Sequence, residues 1–311
     1  MTSNQRNPLV RLLHAPRRIG DEMTRRRQRI EAQYVERGYL RKYLDRIGSL
    51  RDKRLVEVNQ IRFEKRLPHL LASAPGPLSE DHWSARRINT LASRFPKWHD
   101  YLEIGIFEGL TFANVKIRHR VGVDPAPLFD LRYPPRGCEV EVLTSDAYFA
   151  KIAPSVRFDV AFVDGLHTAE QTYRDVVNVF AHLNHGPVLI DDTVPLDEIS
   201  AIADQAESYR ARAAAGLEGR QWHGDVWRVV LLLERHHPEL DWRTITDRGN
   251  PQTLVWRRQA GSMVNPATQE QRAVVMALEY TDVFANGTPA AFRPSLEDDA
   301  LATCAAALRA R

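Results

Sequence analysis

Between residues 99 and 259, short apolar runs alternate with stretches of helical periodicity, and this alternation restricts the fold more than any other feature of the chain. HDYLEIGI (99–106), VGVDPA (121–126), EVEVLTS (139–145), FDVAFVDG (158–165) and GPVLIDDT (186–193) read as strands, and helical patterns occupy 168–183, 196–214 and 226–236. Strands that alternate with helices predict a parallel, doubly wound sheet. WRTITD (242–247) and TLVWRRQ (253–259) close the series, and the RGNPQ link between them is too short for a crossover helix, so these two form an antiparallel hairpin. The expectation is an α/β, Rossmann-like, doubly wound seven-stranded sheet, mostly parallel with an antiparallel final strand.

The flanks read differently. Residues 8–66 are expected to be helical, with Leu9, Leu12, Leu13, Ile19, Met23, Ile30, Tyr34, Tyr39, Leu40, Tyr43 and Leu44 often spaced near a helical period. Residues 1–80 carry 18 Lys and Arg against 9 Asp and Glu, a net of +9 that leaves −6 on the remainder of a chain whose total is +3. The basic face is thus local, and the chain as a whole is not charged like a nucleic-acid binder. TRRRQR (24–29) reads as a solvated helical face that packs on the main domain or a second subunit, with peripheral contact to an anionic membrane or binding to nucleic acid as the competing readings. Pro68 and SAPGP (73–77) separate this region from the main domain. The division is a basic helical extension over 1–78, a main domain over 79–260 and a helical tail over 261–311, which ends in an alanine-rich helix (299–310). So many apolar helical positions in an extension predict a homo-oligomeric interface.

Cys138 and Cys304 form neither a disulfide framework nor a zinc-type spacing, which fits a reducing cytoplasm. No stretch approaches the roughly 20 apolar residues of a membrane span, and no apolar core of a secretory leader follows the basic N-terminus.

In open α/β sheets ligands bind beyond the carboxyl ends of the strands, so polar residues there are the candidates. The first strand ends in LEIGIFEGLTF, where Glu103 sits inside the strand and Gly105 and Gly109 bracket a turn into a helix. The second ends at Asp124, 19 residues after Gly105. An acid at about this spacing suits a ribose diol, because a carboxylate accepts from both hydroxyls. The third ends at Ser145-Asp146, where Asp146 is either an acceptor for an adenine amine or a helix N-cap. The fourth ends at Asp164 with His167 just beyond, and the fifth at Asp191-Asp192. Three carboxylates at adjacent strand ends repel unless a cation lies among them, and a hard divalent ion such as Mg²⁺ takes oxygen ligands of this kind. His167, an unsuitable ligand for Mg²⁺, is then the candidate base. The bland alternative makes Asp164 and His167 caps and Asp191-Asp192 a turn. Asp225 reads as the N-cap of the helix just after it, and Trp222 and Trp227 either stack on a sugar ring or belong to the core.

LEIGIFEGLTF, VGVDPAP, FDVAFVDGLHTAEQTYRD, VLIDDTVP and HGDVWRVVLLL together resemble the class I S-adenosylmethionine-dependent methyltransferases, and more narrowly the macrocin-type metal-dependent sugar O-methyltransferases, over roughly residues 95–260. The resemblance implies S-adenosylmethionine and Mg²⁺ as cofactors and a hydroxyl of a glycan, sugar or related small-molecule polyol as acceptor. It implies that Asp164, Asp191 and Asp192 hold the metal and that His167 is the base. It places Glu103 and Gly105 at the methionine end of the cofactor, Asp124 at the ribose and Asp146 near the adenine. Parts of the pattern are shared with cephalosporin-hydroxylase-like sequences, so a metal-dependent hydroxylase on the same scaffold is the second expectation. A non-catalytic cofactor-binding protein with a partner-binding basic helix is the third.

Overall fold

The computed structural model describes residues 83–107, 109–127, 137–217 and 221–310. The readings of residues 8–66 as a helical, basic, oligomer-forming extension lie outside the described residues.

The first described element is helix α1, Trp83–Ala92, followed by β1, Asp100–Ile104. After it come α2 (Leu110–Asn114), β2 (His119–Val123), β3 (Cys138–Glu141) and α3 (Ser145–Lys151). Next are β4 (Val160–Val163), α4 (Ala169–Ala181), β5 (Val188–Ile190), α5 (Gln205–Ala214) and α6 (Trp227–His236). The strands β6 (Leu240–Ile245) and β7 (Gln252–Arg257) precede α7 (Gln269–Met276), α8 (Tyr280–Val283), the short strand β8 (Pro294–Ser295) and α9 (Glu297–Arg309).

The strand order is β3-β2-β1-β4-β5-β7-β6-β8. Strands β1 to β5 run parallel, and β7 lies antiparallel to both β5 and β6. This is the expected Rossmann-like arrangement with one addition. The expected seven strands gain an eighth from the tail, where Pro294 and Ser295 pair with Thr244 and Ile245 of β6. Two residues carry no readable period, so nothing local marks them as a strand.

Every residue of β4, β5 and β7 is buried, and β4 and β5 are the continuous apolar runs that a sheet covered on both faces requires. Helices α4 and α6 present apolar faces to one core that includes Val176, Val179, Phe180, Val230 and Leu233. Trp227 belongs to this core: it is fully buried, edge-on to Phe284. Helix α5 begins nine residues later than the pattern from 196 predicts. Residues 197–201 instead form turns tied by Ser200 N–H to Asp197 Oδ1 (2.7 Å), and Asp204 caps the helix by accepting from Glu207 N (2.7 Å).

Among the described residues Arg87 is the least exposed charged side chain, at 0 %. Its Nε donates to Glu297 Oε2 (2.9 Å), its Nη1 to Asn250 O (2.8 Å) and Gln252 Oε1 (2.6 Å), and its Nη2 to Arg248 O. One guanidinium thus joins α1, the start of α9 and the β6–β7 hairpin. No helix among the described residues is long and apolar enough to cross a membrane.

Candidate active site

The sheet reverses its winding between β1 and β4, and the carboxyl ends of these two strands lie side by side, with Asp164 N–H donating to Ile104 O (2.8 Å). Gly105 makes this approach feasible. Its φ is +84°, and a Cβ built on it would lie 2.0 Å from Asp164 O. Strand β5 continues the row, with Asp191 N–H donating to Val163 O (3.0 Å).

His167 closes a cluster at this edge. Its Nε2 lies 2.9 Å from Asp164 Oδ1 and its Nδ1 lies 2.7 Å from Asp192 Oδ2. Each ring nitrogen thus faces a carboxylate. Asp164, His167 and Asp192 each offer one ligating atom, and these atoms all lie within 4.8 Å of one another. Asp192 has a left-handed backbone (φ 57°), unusual for a residue with a side chain. Burial alone pushes its carboxyl up, but the charge of His167 and hydrogen bonds from His167 and Asn250 outweigh that and bring it down to about 2.

Asp191 faces the other way. Its Oδ1 accepts from Asn250 Nδ2, from Gln252 Nε2 (3.0 Å) and from the Asp192 backbone (3.0 Å). Burial, and then the charges of Asp164 and Asp192, hold its carboxyl well above the usual range. The structure thus brings Asp164, His167 and Asp192 into one cluster and sets Asp191 behind it.

A second segment covers His167. The Trp222 indole stacks on the imidazole, with centroids 5.1 Å apart and planes at 14°. Gly224 has φ +63°, and a Cβ there would fall 1.7 Å from His167 O. Asp225 Oδ1 accepts from Ala169 N (2.7 Å), so Asp225 caps α4 across 56 residues and is not the expected N-cap of its own helix; that position is Val226. Thr168, the local N-cap of α4, makes no side-chain cap bond, which leaves the amide to Asp225. His223 is buried at 8 % exposure, within electrostatic reach of Asp192 and His167, and its Nδ1 has no partner among the described residues.

The cofactor candidates cluster around the glycine turn. Asp124 accepts from Ile106 N (3.1 Å) and Phe107 N (2.9 Å) through Oδ2 and from Ala126 N (2.7 Å) through Oδ1. It therefore shapes the turn, while a carboxylate's four lone-pair sites leave room for one further donor. Glu103 lies under the turn, accepts from the Tyr101 hydroxyl (2.5 Å), and is pushed well up by burial. Gly109, with φ 74°, opens α2. Asp146 is not an N-cap, since Thr144 fills that role by accepting from Ala147 N (3.3 Å). It sits in the first turn of α3, paired with Arg174 Nε at 2.9 Å.

Sequence reasoning missed Asp175. It is 1 % exposed on α4, and its Oδ1 accepts from Gln171 Nε2 (2.9 Å). Burial raises its carboxyl to about 7, against the opposing bonds from Ser145 and Gln171. A folded-state proton held this tightly makes stability fall as pH rises from about 4, where the unfolded carboxyl ionises, to about 7. Asp175→Asn is therefore expected to raise the urea midpoint relative to wild type at pH 8 and to leave it nearly unchanged at pH 4. The position was legible only as one acid on the apolar face of the 168–183 helix.

Comparison with protein-family models finds no match, and comparison with curated proteins finds no relative. Among solved structures, the chain is similar to the O-methyltransferase TomG of Streptomyces achromogenes, involved in tomaymycin synthesis and solved with S-adenosylmethionine. The identity is 16 %, over 65 % of this chain and 88 % of that one, with a TM-score of 0.41. It is also similar to the plantazolicin methyltransferase BamL, at 8 % identity over 74 % of this chain and 97 % of that one, TM-score 0.41. A third similar structure is CalS10, an amino pentose methyltransferase from Micromonospora echinaspora, at 13 % identity over 58 % and 92 %, TM-score 0.36.

Proposed function

We propose that this chain is an S-adenosylmethionine-dependent O-methyltransferase, assisted by a divalent cation such as Mg²⁺, acting on a hydroxyl of a sugar or related polyol. The observation that carries the reading is the Asp164–His167–Asp192 cluster at the β4 and β5 ends, in backbone contact with the Gly105 turn at the sheet's switch point. The Asp164 and Asp192 oxygens converge within 4.8 Å of one another, which suits a hard cation. Asp164 and Asp192 would hold the cation, whose contribution is to lower the pKa of a coordinated hydroxyl. S-adenosylmethionine supplies an activated methyl group.

The remaining work falls to the chain. Asp124 accepts hydrogen bonds at the end of β2, where a ribose diol would meet it, and Glu103 and Gly105 at the end of β1 would serve the methionine portion. His167 accepts the proton of the acceptor hydroxyl. Two flanking carboxylates stabilise the resulting imidazolium, which is what makes this imidazole the stronger base, and Trp222 fixes the ring plane.

Calorimetry with S-adenosylmethionine tests the reading. Wild type is expected to bind, and Asp124→Ala to bind roughly 10- to 100-fold more weakly, the loss of hydrogen bonds to a charged group. A wild-type protein that binds neither S-adenosylmethionine nor its demethylated product removes the methyltransferase reading. Turnover that needs oxygen and a reductant instead moves the chain to the hydroxylase reading.

A further inference from the structure

The β6–β7 hairpin, a plain short link in the sequence, carries two amides into the acidic pair. Asn250 Nδ2 donates to Asp191 Oδ1 and also to Asp192 Oδ1 (2.6 Å), so one side chain spans both carboxylates. Gln252 adds a second amide to Asp191 Oδ1 at 3.0 Å, and the Asp192 backbone adds a third donor at 3.0 Å. An sp² oxygen offers two lone pairs, so Asp191 Oδ1 is saturated. The amides are themselves fixed: Arg87 donates to Gln252 Oε1 (2.6 Å) and to Asn250 O (2.8 Å), and Gln252 Nε2 also reaches Ser84 Oγ (2.6 Å). Asp192, by contrast, turns its Oδ2 to His167 and belongs to the cluster with Asp164, and its backbone is left-handed.

We propose that Asp191 is a positioning residue for the cation site and not one of its ligands: clamped by Asn250 and Gln252, it holds Asp192 in the backbone conformation that presents Asp192 towards Asp164. This deepens the cation-assisted reading and rests on it. Conversion to asparagine separates the two roles, because an asparagine carbonyl still accepts at the position of Asp191 Oδ1 whereas it is a poor substitute for a carboxylate ligand.

The test is Mn²⁺ titration of the metal-free, full-length protein by calorimetry, with thermal unfolding of each variant measured in parallel. Asp191→Asn is expected to stay within about threefold of wild-type Mn²⁺ affinity. Asp191→Ala and Asn250→Ala are expected to lose roughly tenfold or more, the usual effect of removing a group that orients a ligand. Asp164→Asn and Asp192→Asn are expected to lose more than either. Equal losses in Asp191→Asn and Asp192→Asn overturn the proposal and leave the cation reading standing. So does an Asp191→Ala protein that melts earlier yet binds Mn²⁺ as wild type does, since that is a structural role alone. A wild-type protein that binds no Mn²⁺ removes the cation reading itself, and this proposal with it.

Discussion

His167→Ala is expected to lower methyl transfer by roughly 10²–10⁴-fold, the range for a lost general base, while S-adenosylmethionine affinity is unchanged. The expectation rests on how the ring is held. Its two nitrogens face Asp164 and Asp192 at 2.9 and 2.7 Å, and its face lies on Trp222, so the position and plane of the ring are held. A base oriented this tightly contributes through position as well as basicity, and alanine removes both. The measurement is turnover against Mg²⁺ concentration, with the acceptor identified as the molecule that gains one methyl mass in the presence of the protein. Chelation of the wild type should abolish activity. Asp164→Ala and Asp192→Ala should regain part of theirs in excess Mg²⁺, whereas His167→Ala should not. Rescue of His167→Ala by Mg²⁺ would make His167 a ligand, and indifference of the wild type to chelators would leave the acidic cluster a structural role only.

The strand ends that build this cluster are legible in the sequence because buried parallel strands are continuous apolar runs, and Phe162-Val163 and Leu189-Ile190 stop abruptly at acids. Backbone pairing then fixes what the runs imply: with Ile104 beside Val163 and Val163 beside Ile190, residues one step further on must meet. Local rules fail where a side chain serves a distant element. Asp225 stands before an apolar helix and reads as its cap, yet it caps α4 instead. Asp146 reads equally as a cap or as an adenine acceptor, and Thr144 two residues earlier takes the capping role. Asn250 and Gln252 sit in a hairpin whose only visible property is shortness, and their partners lie about 60 residues away. The left-handed backbone at Asp192, φ 57°, is equally hidden, because no apolar period encodes it.

Arg87→Met is expected to lower stability by about 3–5 kcal/mol, the cost of removing one partner from a buried ion pair. The guanidinium is fully enclosed and Glu297 is 3 % exposed, so water does not take over the lost interactions. Methionine fills much of the volume but leaves Asn250 O, Arg248 O, Gln252 Oε1 and one carboxylate oxygen without their donor. Arg86, which also pairs with Glu297, is a third exposed and retains part of the charge balance, placing the result towards the lower end of the range. Lysine should rescue little, because a single ammonium cannot match a planar fork that reaches four acceptors on two segments. The double variant Arg87→Met with Glu297→Gln should recover a measurable part of the loss, since it no longer buries an under-compensated carboxylate. Urea denaturation of the four proteins of this cycle reads the coupling directly. A loss below about 1 kcal/mol in Arg87→Met would mean that the region around α1 and α9 relaxes to admit water, and that the β6–β7 hairpin is held by its strand pairing and not by this arginine.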